Sequence, residues 1–200
     1  MKRIFTKVLP LLVLAGIYMS CNENKPAERS ALETIMNRRS VRQFTPEKLT
    51  DQQIETLLRA GMAAPTGMNV QPWQFVVVTD TAVISALRTY PAPCLIVVCG
   101  ETSFERRPRD GGEPVKTENG NWTADCAAAT ENILLAAEAI GLGAVWTACY
   151  PYPDRLEPTI RTLGIPEGFM PYNIIVIGHP ADNPAPKDKW KPEKIHYNKW

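Results

Sequence analysis

Asn37-Arg38-Arg39-Ser40-Val41-Arg42-Gln43-Phe44 sets three guanidiniums and a hydroxyl within five residues, directly after a stretch where Leu32, Ile35 and Met36 recur at helical spacing. A guanidinium offers a planar fork of donors that matches phosphate oxygens. Arg38 and Arg42, four residues apart, point the same way if the helix runs on through them. Ser40 adds a hydroxyl between them. The same run also suits a solvated helix end that complements the negative pole of the dipole, so the rest of the chain has to decide.

The chain has 200 residues, 44% of them hydrophobic and 22% charged, which is one globular domain's worth of core with no need for disulfide staples. With 22 basic against 21 acidic residues the net charge is +1. No global field attracts nucleic acid, so basic clusters are read as local sites and nucleic acid is set aside.

The first residues stand apart from that domain. Lys2, Arg3 and Lys7 flank an apolar run from Val8 to Ile17, too short to span a bilayer and suited to the h-region of an export signal. It ends at Ser20-Cys21, which resembles the processing site of bacterial lipoproteins, where the cysteine becomes the lipid-bearing first residue. Tyr18 stands where that pattern favours leucine. The expected layout is a signal peptide over 1–21 with Cys21 lipidated, a polar tether over 22–30 and a domain over 31–200. A flexible tether of that length reaches about 15 to 18 Å. The protein is then exported and membrane-anchored; an ordinary secretory signal or an uncleaved anchor is the alternative.

Within the domain, Thr50-Asp51-Gln52-Gln53 is a capping box ahead of Ile54, Leu57, Leu58 and Met62, a helix that stops at Ala64-Pro65. The breaker-rich loop Pro65 to Pro72 leads into Trp73 to Val78, a strand whose unbroken apolar second half predicts cover on both faces. Asp80 caps a short helix, and Cys94 to Cys99 is a second doubly buried strand. Glu101 to Asn121 is polar and rich in arginine and glycine, a long loop expected to edge a pocket. Asp125 to Ile140 is an alanine-dense helix stopped by Gly141, close enough to its neighbours for the fold's centre or a dimer interface. Gly141-Leu142-Gly143 lacks the third glycine of a dinucleotide fingerprint and follows a helix instead of a strand, so that reading is rejected. A strand over Val145 to Ala148, a helix over Pro158 to Leu163 and a strand over Tyr172 to Ile177 complete the domain. The proline- and lysine-rich tail reads as extended and solvated, but Ile195, Tyr197 and Trp200 are apolar anchors with which it can dock.

RRSVRQF (Arg38 to Phe44), AAPTGMNVQPW (Ala63 to Trp73), ENILLAAEAIGLGAVW (Glu131 to Trp146) and the closing PKDKW and HYNKW together resemble the nitroreductase superfamily of flavin enzymes, in that family's order and over about residues 30 to 200. The resemblance implies an α+β fold with a mixed sheet flanked by helices, a homodimer, and FMN in two sites at the subunit interface. Carried over by position, Arg38, Ser40 and Arg42 hold the FMN phosphate and ribityl chain, with Arg39 nearby. Lys187 and Lys189 reach the same phosphate, although lysine at 189 replaces the more usual arginine and gives up bidentate geometry. Pro65, Thr66, Gly67 and Asn69 reach the flavin from the partner subunit. Trp146 and Thr147 lie against the ring system, whose polar edge calls for backbone donors more than for particular side chains.

The resemblance also implies ping-pong transfer from NAD(P)H to nitroaromatic, quinone-like or related small oxidants. The flavin carries the chemistry, so no catalytic acid or nucleophile is expected from the chain. His179 and His196 are the only histidines, and no spacing suggests a metal. Cys94 and Cys99 fall on opposite faces of one strand and cannot bridge each other; with Cys126 and Cys149 they read as free buried thiols, although an oxidising compartment leaves other pairings open. Export sets the protein apart from the cytoplasmic nicotinamide pool, which leaves another electron donor open. Two alternatives remain: a flavin-dependent dehalogenase or ring oxidase whose outcome is set by Glu101 to Asn121, and a tethered binding protein that has lost catalysis.

Overall fold

A computed structural model describes residues 30–200. The export signal, the lipidation candidate Cys21 and all but the last residue of the tether lie outside the described residues. Among the described residues no helix is long and apolar enough to cross a membrane, and no group of three or more His, Cys, Asp or Glu is placed to hold a metal.

The order is α1 (Ala31–Asn37), α2 (Asp51–Met62), β1 (Trp73–Val78), α3 (Thr81–Ala86), β2 (Cys94–Glu101), β3 (Ser103–Arg106), β4 (Val115–Glu118), α4 (Trp122–Ala139), β5 (Gly143–Ala148), α5 (Pro153–Leu163) and β6 (Phe169–Gly178). Both caps that the sequence can signal are formed. Ser30 and Thr50 accept from the N3 amides of α1 and α2, while Glu33 and Gln53 reach back to the cap amides. Asp80 takes the first free amides of α3.

The main sheet runs β1-β2-β6-β5 with every ladder antiparallel; the parallel element is confined to one bridge, Ser40 to Ala144. β2 and β6 are the inner strands, and Cys94 to Cys99 and Ile174 to Ile177 are buried on both faces. Ile96, Val98, Ile175 and Ile177 pack with Leu57, Ile133 and Leu134 of α2 and α4. Leu95, Val97, Ile174 and Val176 pack on the opposite face with Val78, Ile84 and Leu87. Each such side chain contributes about 1.5 to 3 kcal/mol on burial.

Three expectations change. β1 is an edge strand whose two faces are covered only in part: Phe75 packs on one core and Val76 and Val78 on the other, while Val77 stays exposed. The polar segment Glu101 to Asn121 is not a plain loop: β3 and β4 pair as a hairpin, Ser103 opposite Glu118. The tail does not dock its anchors on its own chain, for Ile195, Tyr197 and Trp200 are exposed.

Cys94, Cys99, Cys126 and Cys149 are all free and buried. Burial pushes the Cys94 thiol up to about 11. Burial, with lesser charge repulsion from neighbouring groups, pushes Cys99 and Cys126 up to about 12, and Cys149 moves the same way. A raised thiol pKa keeps the neutral, unreactive form until the pH approaches that value. Native protein treated with iodoacetamide at pH 8 is therefore expected to leave these four unmodified by peptide mass spectrometry, and to alkylate all four once denatured.

Candidate functional site

Helix α1 ends at Asn37 and Arg38 leaves it with ψ 130°, so Arg38 and Arg42 do not share a helical face as the sequence spacing suggested. The chain instead goes extended. Ser40 bridges Ala144, and the Val41 amide donates to the Ala144 carbonyl at 3.0 Å, laying the segment along the outer edge of β5. Extended chain alternates its side chains. Val41 is buried against Gly143, and Arg39 turns to α4, where Nη1 donates to both Glu138 oxygens at 3.0 Å. Ser40 and Arg42 take the other side, with the Arg42 guanidinium 5.8 Å from the Tyr90 ring centroid. Arg38 pairs through Nε with Glu131 at 3.3 Å, leaving its terminal fork for another acceptor.

Strand β5 is the last of its sheet. The Ala144 carbonyl accepts from Val41 and the Ala148 carbonyl from Arg155 at 3.2 Å, while the Cys149 amide donates inward to Tyr172. By the alternation of a strand, the amide and carbonyl of Trp146 and the amide of Ala148 also face outward. The Trp146 indole packs edge-on against Tyr172 at 5.6 Å, and the Thr147 hydroxyl donates to the Ile174 carbonyl at 2.8 Å. What faces outward here is therefore the backbone of Trp146 and Ala148, whereas the backbone of Thr147 is turned to β6 and its hydroxyl is spent on Ile174. A cavity of about 680 Å³ adjoins this end of β5, with Tyr90, Thr147, Cys149 and Arg155 among its lining.

The other expected residues do not meet the arginines within one chain. Gly67–Asn69 forms a 3-10 turn beside the start of α4, where the Gly67 amide donates to Asp125 Oδ1 at 2.8 Å. Glu131 and Glu138, which hold Arg38 and Arg39, sit six and thirteen residues further along α4, about 9 and 20 Å at the rise of a helix. Pro65, Thr66, Gly67 and Asn69 thus belong to a different part of the surface from Arg38 and Arg42. The tail behaves otherwise. Phe44 bridges Pro180, the Ala181 amide donates to Gln43 O at 2.9 Å, and Arg39 Nη2 donates to Asn183 Oδ1. The two ends of the domain converge, with Lys187 and Lys189 exposed on the tail just beyond.

Sequence reasoning passed over Asp125, Glu131 and Glu138, the three charged residues of an otherwise alanine-rich α4. That isolation was the available signal, since an acid on an apolar helix needs a partner.

The donor set suits a phosphate joined to a flat ring with a polar edge. The fork of Arg38, the Ser40 hydroxyl and Arg42 match the first. The outward backbone of Trp146 and Ala148 matches the second. The segment's seat depends on Gly143, where an added Cβ would lie 2.7 Å from Val41 Cγ1. Gly143→Ala is expected to destabilise the protein by about 1 to 3 kcal/mol in urea denaturation, through overpacking against Val41.

A model of the nitroreductase family matches residues 35–91 and 84–179. The chain is 36% identical over 186 residues to a provisionally named NADH dehydrogenase/NAD(P)H nitroreductase of Methanothermobacter thermautotrophicus, covering 89% of this chain and 92% of that one. Its fold is similar to that of a provisionally named NADH dehydrogenase/NAD(P)H nitroreductase from Parabacteroides distasonis, with a TM-score of 0.76, 40% identity, and coverage of 86% of this chain and 100% of that one. It is also similar to a Bacteroides fragilis nitroreductase with bound FMN, with a TM-score of 0.67, 26% identity, and coverage of 86% and 100%.

Proposed function

The chain belongs to the nitroreductase family, and from that membership we propose that it works as a homodimeric FMN enzyme passing electrons from NAD(P)H to nitroaromatic, quinone-like or related small oxidants. It is an oxidoreductase, and FMN is its cofactor. The observation that carries the assignment of the site is the open outer edge of β5 with Arg38, Ser40 and Arg42 laid alongside it.

FMN, when bound, accepts a hydride and returns electrons to an oxidant. The chain's tasks are binding, orientation and exclusion of water. Arg38, Ser40 and Arg42 hold the phosphate and ribityl chain, and Lys187 and Lys189 add charge from the tail. Arg39 acts from behind, tying this segment to Glu138 and Asn183. The backbone of Trp146 and Ala148 meets the polar edge of the ring. Indole and phenol rings of Trp122, Trp146, Tyr150 and Tyr172, in edge-on contact, back that end of the site with an apolar wall.

A second copy completes the site. Leu32, Ile35, Met36 and Met62 are exposed together with a groove between α1, α2 and α4 lined by Ala60, Asn132, Leu135 and Ala139. Such an apolar face on a lone chain marks an interface. Two copies joined there can bring Pro65, Thr66, Gly67 and Asn69 of one to the arginines of the other, which a single chain keeps apart. Outside the described residues, Cys21 is the proposed lipid attachment that holds this dimer to a membrane on the exported side.

Two measurements test this reading. Purified protein is expected to be yellow, to release FMN on denaturation, and to bleach when mixed anaerobically with NADH or NADPH; a colourless protein that cannot be reconstituted with FMN overturns it, and yellow protein that neither nucleotide bleaches turns the donor elsewhere. In analytical ultracentrifugation the wild type is expected to sediment as a dimer and Ile35→Glu as a monomer with at least about tenfold weaker FMN binding, since an isolated buried charge at the interface outweighs the contacts there.

A further inference from the structure

The loop after α2 is held in a shape it would not choose by itself. Met68, Asn69 and Gln71 all have positive φ, at 53°, 56° and 54°, in the left-handed region that non-glycine residues rarely enter. Met68 is exposed, so the loop is not shaped to fill this chain's core. Its shape is set from three sides. The Thr66 hydroxyl accepts from the Gln71 amide at 3.1 Å, and Asn69 Oδ1 accepts from Gln71 Nε2 at 2.9 Å. The third hold comes from outside the loop. Asp125, 5% exposed, accepts the Gly67 amide at 2.8 Å, and Gly67 presses so closely on Asn121 that an added Cβ would lie 2.7 Å from Nδ2.

Asp125 is an expensive residue for that task. Its Oδ2 is buried with no hydrogen-bond partner among the described residues, a cost that a smaller polar side chain would avoid. A charge-assisted bond to one amide is what the carboxylate supplies in return. Strain held by a buried charge, on a loop whose tip is exposed, suits a use beyond its own chain.

We infer that Asp125 is a positioning residue for the flavin site of the neighbouring subunit, acting in trans by clamping Gly67 and so fixing the surface that Thr66 to Asn69 present across the dimer. This rests on the flavin and dimer reading above. Asp125 touches neither the cofactor nor the substrate. Its effect passes through the Gly67 amide alone, so an amide oxygen in its place keeps much of the effect and a methyl group keeps none.

The test is FMN affinity of the apo-dimer, read by fluorescence titration. Asp125→Ala is expected to weaken FMN by about tenfold or more in the homodimer, from loss of one charge-assisted bond, and Asp125→Asn to recover most of it. Mixed dimers, purified through two different tags, separate trans from cis. One copy carries Asp125→Ala and the other carries Arg38→Ala with Arg42→Ala. Acting in trans, Asp125 leaves one FMN site of wild-type affinity per mixed dimer, because the intact arginines of one copy meet the intact clamp of the other. A mixed dimer with no wild-type site overturns the inference, as does an Asp125→Ala homodimer of unchanged affinity. Should Asp125→Ala fail to fold, Gly67→Ala is the second lesion. It pushes the same loop off Asn121 with the carboxylate left in place, and it must give the same single-site result. Wild-type protein that takes up no FMN overturns the flavin reading itself, and this inference with it.

Discussion

Helix α4 holds both the Gly67 loop and the arginine segment beside β5, and it does so through acids set in an apolar, alanine-rich stretch. Asp125 takes the Gly67 amide near the first turn, Glu131 pairs with Arg38 in the middle, and Glu138 grips Arg39 near the end. The last of these is a partly buried pair, and removing one member leaves the other charge without its partner. Arg39 also reaches Asn183, so the same guanidinium ties the start of the tail to the segment beside β5. One guanidinium therefore ties the arginine segment, the start of the tail and α4 together.

Function follows from where the sheet stops. β2 and β6 are saturated on both sides, whereas β5 has one open edge, and an open edge presents unpaired donors and acceptors at fixed spacing. In most proteins such an edge is a hazard. Here Ser40 and Val41 close its first part, and the outward backbone of Trp146 and Ala148 is the place proposed above for a ring with a polar rim. A rigid strand is a better platform for that ring than side chains would be, since a backbone amide in a sheet has no rotamer to lose on binding. The apolar face across α1, α2 and α4 and the exposed anchors of the tail are what the proposed dimer would cover.

Much of this was legible beforehand. The Thr50 capping box, the Asp80 cap, the inner strands and the alanine-rich helix follow from local periodicity and from which side chains can satisfy a free amide, and these are properties of neighbours in sequence. The hairpin of β3 and β4 was missed because its strands alternate charged residues with little apolar content, so no buried face announced them. The both-face cover expected for β1 held only in part, for the opposite reason. Val76, Val77 and Val78 carry the pattern of an inner strand, but position within a sheet is decided by partners far away in the chain.

By itself the sequence determined most of the helices, the strands of the main sheet and the family to which the chain belongs, because those depend on side-chain chemistry and short-range spacing. Only the tertiary structure decided which guanidinium is already taken. Arg39 and Glu138 are separated by 99 positions, and no local pattern records that they meet. It also decided that Ser40 and Arg42 share a side through a two-residue alternation and not a helical turn, and that α4 holds the Gly67 loop and the arginines apart. A helix has a fixed rise per residue, so the positions of Asp125, Glu131 and Glu138 along α4 set the spacing of the segments they hold.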